Sequence, residues 1–234
     1  MERICFLRNW IALLVCGLCA FFCSGCSKPA SEKAAEHEAV SSAIPGNQDT
    51  RPVIVALGNS LTAGLGVDPT LNYPSGLQKI INEEGYFYRV VNAGVSGDTT
   101  DQGLNRIQTI IDLHPAIVIV ELGANDGLRG LPVEVTRQNL ASIVRRLQSA
   151  GAKVVLAGMQ VPPNYGPLYT SAFRSVFRDV ARQYRIPLMP FFLDGVAGNP
   201  ALNQDDGIHP TAEGYEVIVR NIWRVLEPLL QVQN

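Results

Sequence analysis

Beyond Thr50 the apolar residues take two alternating textures: short runs rich in Val and Ile, and longer stretches in which apolar positions recur every three or four residues. The short runs predict strands at Val53–Leu57, Tyr88–Val91, Ala116–Leu122, Lys153–Ala157 and Leu188–Phe192, the last the least regular. Most of these runs are apolar on both faces rather than alternating, so helices must cover both sides of the sheet, as in parallel sheets. The longer stretches predict helices at about Tyr73–Glu84, Thr100–Leu113, Pro132–Ala150, Ser171–Tyr184 and Thr211–Leu230. In the third, Val135, Leu140, Ile143, Val144 and Leu147 fall on one stripe, with Arg137, Arg145 and Arg146 off it. Five strands alternating with five helices make one doubly wound, three-layer α/β/α domain with a five-stranded parallel sheet, over residues 51–234. In such sheets, sites form where loops leave the carboxyl ends of the strands.

The first fifty residues are patterned differently. Arg3 and Arg8 precede a 13-residue apolar run, Trp10–Phe22, shorter than the roughly 20 residues needed to span a bilayer. Residues 1–25 therefore read as an export signal. Cys23-Ser24-Gly25-Cys26 resembles the lipobox of bacterial lipoproteins, although the position three before the modified cysteine is usually Leu and here is Cys23. The resemblance implies lipidation of Cys26 and an anchor in the bacterial cell envelope, facing the periplasm. Ordinary secretory cleavage near Gly25 would instead leave Cys26 as a free thiol. The rest of segment 26–50, rich in Ala, Ser, Glu and Lys, predicts a flexible linker with a coil span of about 25–30 Å.

Composition narrows the function. With 47% hydrophobic residues, 17% charged residues and a net charge of -2 over 234 residues, the chain can bury a core and lacks the basic footprint of a nucleic-acid binder. All five cysteines lie in the first 26 residues, so neither a disulfide framework nor a cysteine zinc site is expected in the body. No metal ligand set and no cofactor signature is evident. Walker and dinucleotide glycine patterns are missing, which argues against a nucleotide-binding role.

The loops carry the chemistry. After the first strand, Gly58-Asn59-Ser60-Leu61-Thr62-Ala63-Gly64 holds a serine between glycines, able to present a hydroxyl to a cleft or simply to cap the next helix. Asp206-Gly207-Ile208-His209-Pro210 sets a carboxylate three residues before a histidine, a spacing that lets the acid reach one ring nitrogen and leaves the other as a base. Asp205 flanks the same pair, whereas His37 lies in the linker and His114 at a helix end. Asn92–Thr99, containing Gly97, and Glu121–Gly127, containing Asn125, can supply backbone and amide donors where an oxyanion would develop, although such turns also occur for their backbone alone.

Taken together, Gly58–Gly64, Gly97 in its turn, Gly123-Ala124-Asn125-Asp126 and Asp206–His209 resemble the four sequence blocks of the SGNH (GDSL) hydrolases. The match runs from about Val53 to Leu230. Ser96–Thr99, Glu121–Gly130 and Asp205–Pro210 are similar to the family's multifunctional thioesterase, arylesterase and lysophospholipase branch. The resemblance implies a flavodoxin-like fold and a serine esterase acting on acyl esters, thioesters or lysophospholipids. It further implies Ser60 as nucleophile, His209 as base, Asp206 as its orienter, and an oxyanion hole from the Ser60 N–H, the Gly97 N–H and the Asn125 amide. One position departs: the family's usual Asp before the serine is Asn59, which keeps the shape and one acceptor but loses a charge and gains two donors.

Two other readings compete. A catalytically silent lipoprotein would use the same cleft to bind a lipid or anion, with Asn59 as a mark of decay. An α/β-hydrolase would need Gly-x-Ser-x-Gly at the nucleophile, which is missing. Substrate choice is expected from Pro162, Pro163, Asn164 and Tyr165 in the loop Gln160–Gly166, and export argues against cytosolic acyl-CoA as the physiological substrate.

Overall fold

The computed structural model describes residues 49–232, so the signal peptide, the Cys26 position and the linker up to residue 48 lie outside the described residues. Strands β1 (Val53–Gly58), β2 (Arg89–Gly94), β3 (Ile117–Glu121), β4 (Lys153–Ala157) and β5 (Leu188–Met189) form one parallel sheet in the order β2-β1-β3-β4-β5. Every residue of β1 and β3 is buried, as the two-sided Val and Ile runs require. β1 pairs with β2 on one side and β3 on the other, with Gly58 opposite both Gly94 and Glu121. The chain reverses its progress across the sheet at this point, opening a crevice at the carboxyl ends of β1 and β3.

Helices α1 (Ser60–Ala63), α2 (Tyr73–Glu83), α3 (Thr100–Asn105), α4 (Ile107–Ile111), α5 (Ala124–Leu128), α6 (Val133–Ser149), α7 (Pro167–Tyr184) and α8 (Ala212–Leu226) complete the fold. α2 packs on α8, while α6 packs on α3, α4 and α7 as a second helical layer. Tyr73 meets Phe192 edge-on at 5.4 Å between ring centroids, and Phe173 meets Phe177 at 5.5 Å, filling the two interlayer cores.

The structure corrects several expected elements. The helix expected over Thr100–Leu113 is two short helices, broken at Arg106, whose guanidinium donates to Asp98 at 2.7 Å and to the Gly58 carbonyl at 2.9 Å. α7 begins at Pro167 rather than Ser171, because a proline suits a first helical turn. β5 stops at Met189 rather than Phe192, because Pro190 cannot donate to the ladder. α8 ends at Leu226, and a 3-10 turn over Glu227–Leu229, containing Pro228, replaces its last turn. Val135 is 42% exposed and Thr136 takes the buried place. Neighbouring helical residues sit about 100° apart, so only Thr136 shares the stripe of Leu140, Ile143 and Leu147.

Candidate active site

The turn after β1 is built around a close approach. A side chain at Gly58 would collide with Thr62 Oγ1 and with Glu121 Oε2, so only glycine ends the strand here. Asn59, not Ser60, caps α1: its Oδ1 accepts the Leu61 N–H at 2.9 Å. Ser60 is thereby the first helical residue, and its hydroxyl meets His209 Nε2 at 2.9 Å.

His209 is delivered by a loop with its own scaffold. Asp206 Oδ1 accepts the N–H groups of Ile208 at 2.9 Å and His209 at 3.0 Å, while its Oδ2 meets His209 Nδ1 at 2.6 Å. Gly207 makes this tight turn possible at φ 73°. Gln204 staples the loop to the nucleophile side through Leu65 O at 2.8 Å and Pro210 O at 2.9 Å. The bond from the His209 ring, followed by those two backbone N–H groups, holds the Asp206 carboxyl down to about 2. An ionised Asp206 on Nδ1 fixes the imidazole so that Nε2 faces Ser60. Asp205 makes none of these contacts and points to solvent.

On the opposite side, Asn125 projects from α5, and its amide donates to Asp98 O at 2.9 Å, leaving one amide hydrogen. α5 is tied down by buried Asp126, which accepts the Thr100 N–H at 2.8 Å and the hydroxyls of Thr100 and Thr136. Gly97 turns at φ 89°, with its carbonyl on Arg129 at 3.0 Å. Among the described residues, neither the Ser60 nor the Gly97 N–H donates to another backbone group.

Ser60, His209 and Asn125 line one cavity of about 470 Å³, and Gly97 and Asp206 are not part of its lining. The rest of the lining is largely apolar, including Leu61, Leu128, Met159, Val161, Phe191 and Ile208. Pro162 and Pro163 belong to it as expected, but Asn164 and Tyr165 do not. They lie in a 3-10 turn, Pro163–Tyr165, where the Tyr165 hydroxyl donates to Leu128 O at 2.6 Å and braces the wall from outside. Met159, Phe191 and Leu193 were not among the expected site residues, because apolar residues at a strand end read as core.

Sequence reasoning also passed over Glu121. It is fully buried at the end of β3, and its carboxyl accepts Asn59 Nδ2 at 3.0 Å, the Asn59 N–H at 3.4 Å and the Thr62 hydroxyl at 2.8 Å. Burial pushes it up to about 8 despite these donors. A carboxyl ending an otherwise apolar, buried strand was the available signal. Among the described residues, no three His, Cys, Asp or Glu side chains converge as a metal site would require.

The model of the GDSL-like lipase/acylhydrolase family matches residues 56–217. The chain is 45% identical over 184 residues to the esterase TesA of Pseudomonas aeruginosa, covering 78% of this chain and 92% of that relative. It is 37% identical over 179 residues to thioesterase 1/protease 1/lysophospholipase L1 of Escherichia coli strain K12, covering 76% and 84% respectively. Among solved structures, the crystal structure of TesA aligns with a TM-score of 0.74 at 46% identity, over 76% of this chain and 99% of that one.

Proposed function

The chain belongs to the GDSL-like lipase/acylhydrolase family and is a serine hydrolase of acyl esters, and we propose that it works through Ser60, His209 and Asp206. His209 Nε2 takes the Ser60 proton as Oγ bonds to the ester carbonyl carbon. The carbonyl oxygen becomes an oxyanion, received by the Ser60 and Gly97 N–H groups and the second Asn125 amide hydrogen. His209 returns the proton to the leaving oxygen or sulfur as that bond breaks. Water then repeats the sequence on the acyl-enzyme and releases the acid. Asp206, ionised throughout, stabilises the imidazolium between the two transfers.

The observation that carries this reading is the unbroken chain Asp206 Oδ2 to His209 Nδ1 at 2.6 Å and His209 Nε2 to Ser60 Oγ at 2.9 Å, opening on an apolar cavity. That cavity suits an acyl chain, with Pro162 and Pro163 in its wall, and supports esters, thioesters and lysophospholipids as the substrate class. The silent-binder alternative finds no support in this geometry, since a decayed site had no reason to keep both hydrogen bonds. The test is Ser60→Ala, which should abolish turnover of p-nitrophenyl esters at unchanged thermal stability, together with organophosphonate labelling of Ser60. Substantial turnover by pure Ser60→Ala would remove Ser60 as nucleophile.

We further propose that the enzyme is exported and lipid-anchored at Cys26 in the cell envelope, on the periplasmic side, with segment 26–50 as its tether. The lipobox-like Cys23–Cys26 and the short apolar run before it support this. Cys26→Ala should then appear as soluble exported protein. A variant still released only by detergent would place the anchor elsewhere.

A further inference from the structure

The nucleophile turn rests on a carboxyl group that the hydrolytic steps do not use. Beneath Ser60, both Glu121 oxygens are occupied by donors: Oε1 by Asn59 Nδ2, and Oε2 by the Thr62 hydroxyl and, at longer range, the Asn59 N–H. The donors come from the residues on either side of the Ser60–Leu61 dipeptide. The orientation of Asn59 is not free, because its Oδ1 is committed to the Leu61 N–H, so the amide must present its NH₂ to Glu121. The remaining groups facing this pocket are hydroxyls: Tyr73 of α2 meets Thr62 Oγ1 at 3.2 Å, and Tyr215 of α8 donates to Leu61 O at 2.8 Å. Both tyrosines are pushed up, chiefly by burial and also by Glu121 itself. The partners of Glu121 are neutral donors, in a setting without water contact.

We propose that Asn59 and Glu121 form a matched amide–carboxyl pair in which Glu121 is a positioning residue, fixing through Asn59 and Thr62 the helix turn that aims Ser60 at His209. This rests on the reading of Ser60 as nucleophile. It also gives the departure at position 59 a physical meaning. A carboxylate there would face Glu121 across about 3 Å, and two carboxyl groups at that distance must share a proton. The amide supplies the missing hydrogen permanently, so the bond from Asn59 Nδ2 to Glu121 Oε1 persists whether or not Glu121 is ionised.

The pair makes a reciprocal prediction. In Glu121→Gln, an oxygen must face the Asn59 amide, so the new NH₂ is turned toward Thr62 and the Asn59 N–H, leaving that N–H without an acceptor. In Asn59→Asp, the two carboxyls need a shared proton. In Asn59→Asp/Glu121→Gln, the glutamine donates to the aspartate and its oxygen accepts from Thr62 and residue 59, so every partner is restored with the polarity reversed.

The experiment is a double-mutant cycle on a neutral p-nitrophenyl ester, with kcat and KM measured from pH 5 to 10 and folding followed by circular dichroism. Glu121→Gln should lower kcat by about tenfold or more, with KM within about threefold. Asn59→Asp should stay within about tenfold of wild type at pH 6 and lose further activity at alkaline pH, where the shared proton leaves. The double variant should return to within about threefold of wild type and drop that alkaline loss. Additive effects, or Glu121→Gln within twofold of wild type with an unchanged pH profile, would overturn the pairing. If Glu121→Gln does not fold, a folded and active double variant sustains the proposal, and an unfolded one overturns it. Ser60→Ala measured alongside separates the two levels: residual turnover there defeats the nucleophile assignment, while a silent Glu121 with a dead Ser60→Ala defeats the pairing alone.

Discussion

Two carboxyl groups bear on Ser60, Asp206 through His209 and Glu121 through Asn59, and they are treated in opposite ways. Asp206 has a side chain 45% exposed and lies in a short loop, where contacts within three residues hold it down to about 2. Glu121 is fully buried, contacts residues 59 to 62 positions away in sequence, and is pushed up to about 8. The difference teaches that charge and shape are supplied separately. The exposed loop provides a dependable anion beside His209 at low desolvation cost, and the buried turn provides geometry without relying on a fixed charge.

The sharpest way to break the contrast is to remove the charge where it is needed. Asp206→Asn keeps the size but cannot hold His209 as an acceptor toward Ser60, and kcat for ester hydrolysis should fall by about 10³ to 10⁴. A fall below tenfold would show that the imidazole is oriented by other contacts. Next in size, Asn125→Ala removes a proposed oxyanion donor and should lower kcat by about 10² to 10³ with little change in KM. A KM effect alone would reassign Asn125 to substrate binding.

The smallest effect lies in stability. The folded-state value of Glu121 lies above its ordinary 4.5, so native protein holds a proton that unfolded chain releases. Its contribution therefore declines as pH rises from about 4.5 to 8 and levels off beyond. Asp206 is shifted the other way, so its modest contribution is present above pH 3.8 and fades as pH falls toward 2. Urea midpoints of wild type relative to Glu121→Gln should drift downward between pH 5 and 8, whereas wild type and Asp206→Asn should run parallel across that window. Parallel lines for Glu121→Gln would mean that the carboxyl is ionised throughout.

The same contrast explains what was legible from residue order. Asp206 and His209 could be paired by eye because their contact closes within one turn, and Ser60 stood out between glycines. β1, β3 and β4 followed from their Val and Ile runs. Glu121 was hidden because its partners are 59 to 62 residues distant, and the break at Arg106 was hidden because that side chain reaches across to Asp98 and Gly58. Thr136 looked polar and Val135 apolar, yet the buried hydroxyl serves Asp126, a need visible only once α5 and α6 are side by side.

Ser60 and His209 are separated by 149 positions, with the proposed nucleophile on the first strand's turn and the proposed base just before the last helix. Synthesis therefore completes the Ser60–His209 pair only at its final stage. On the proposed mechanism, a nascent or truncated chain ending anywhere before His209 carries Ser60 with no base and is inert toward esters. During refolding, the return of turnover requires the long-range contact between Ser60 and His209, so esterase activity doubles as a reporter of the moment the two ends of the domain meet.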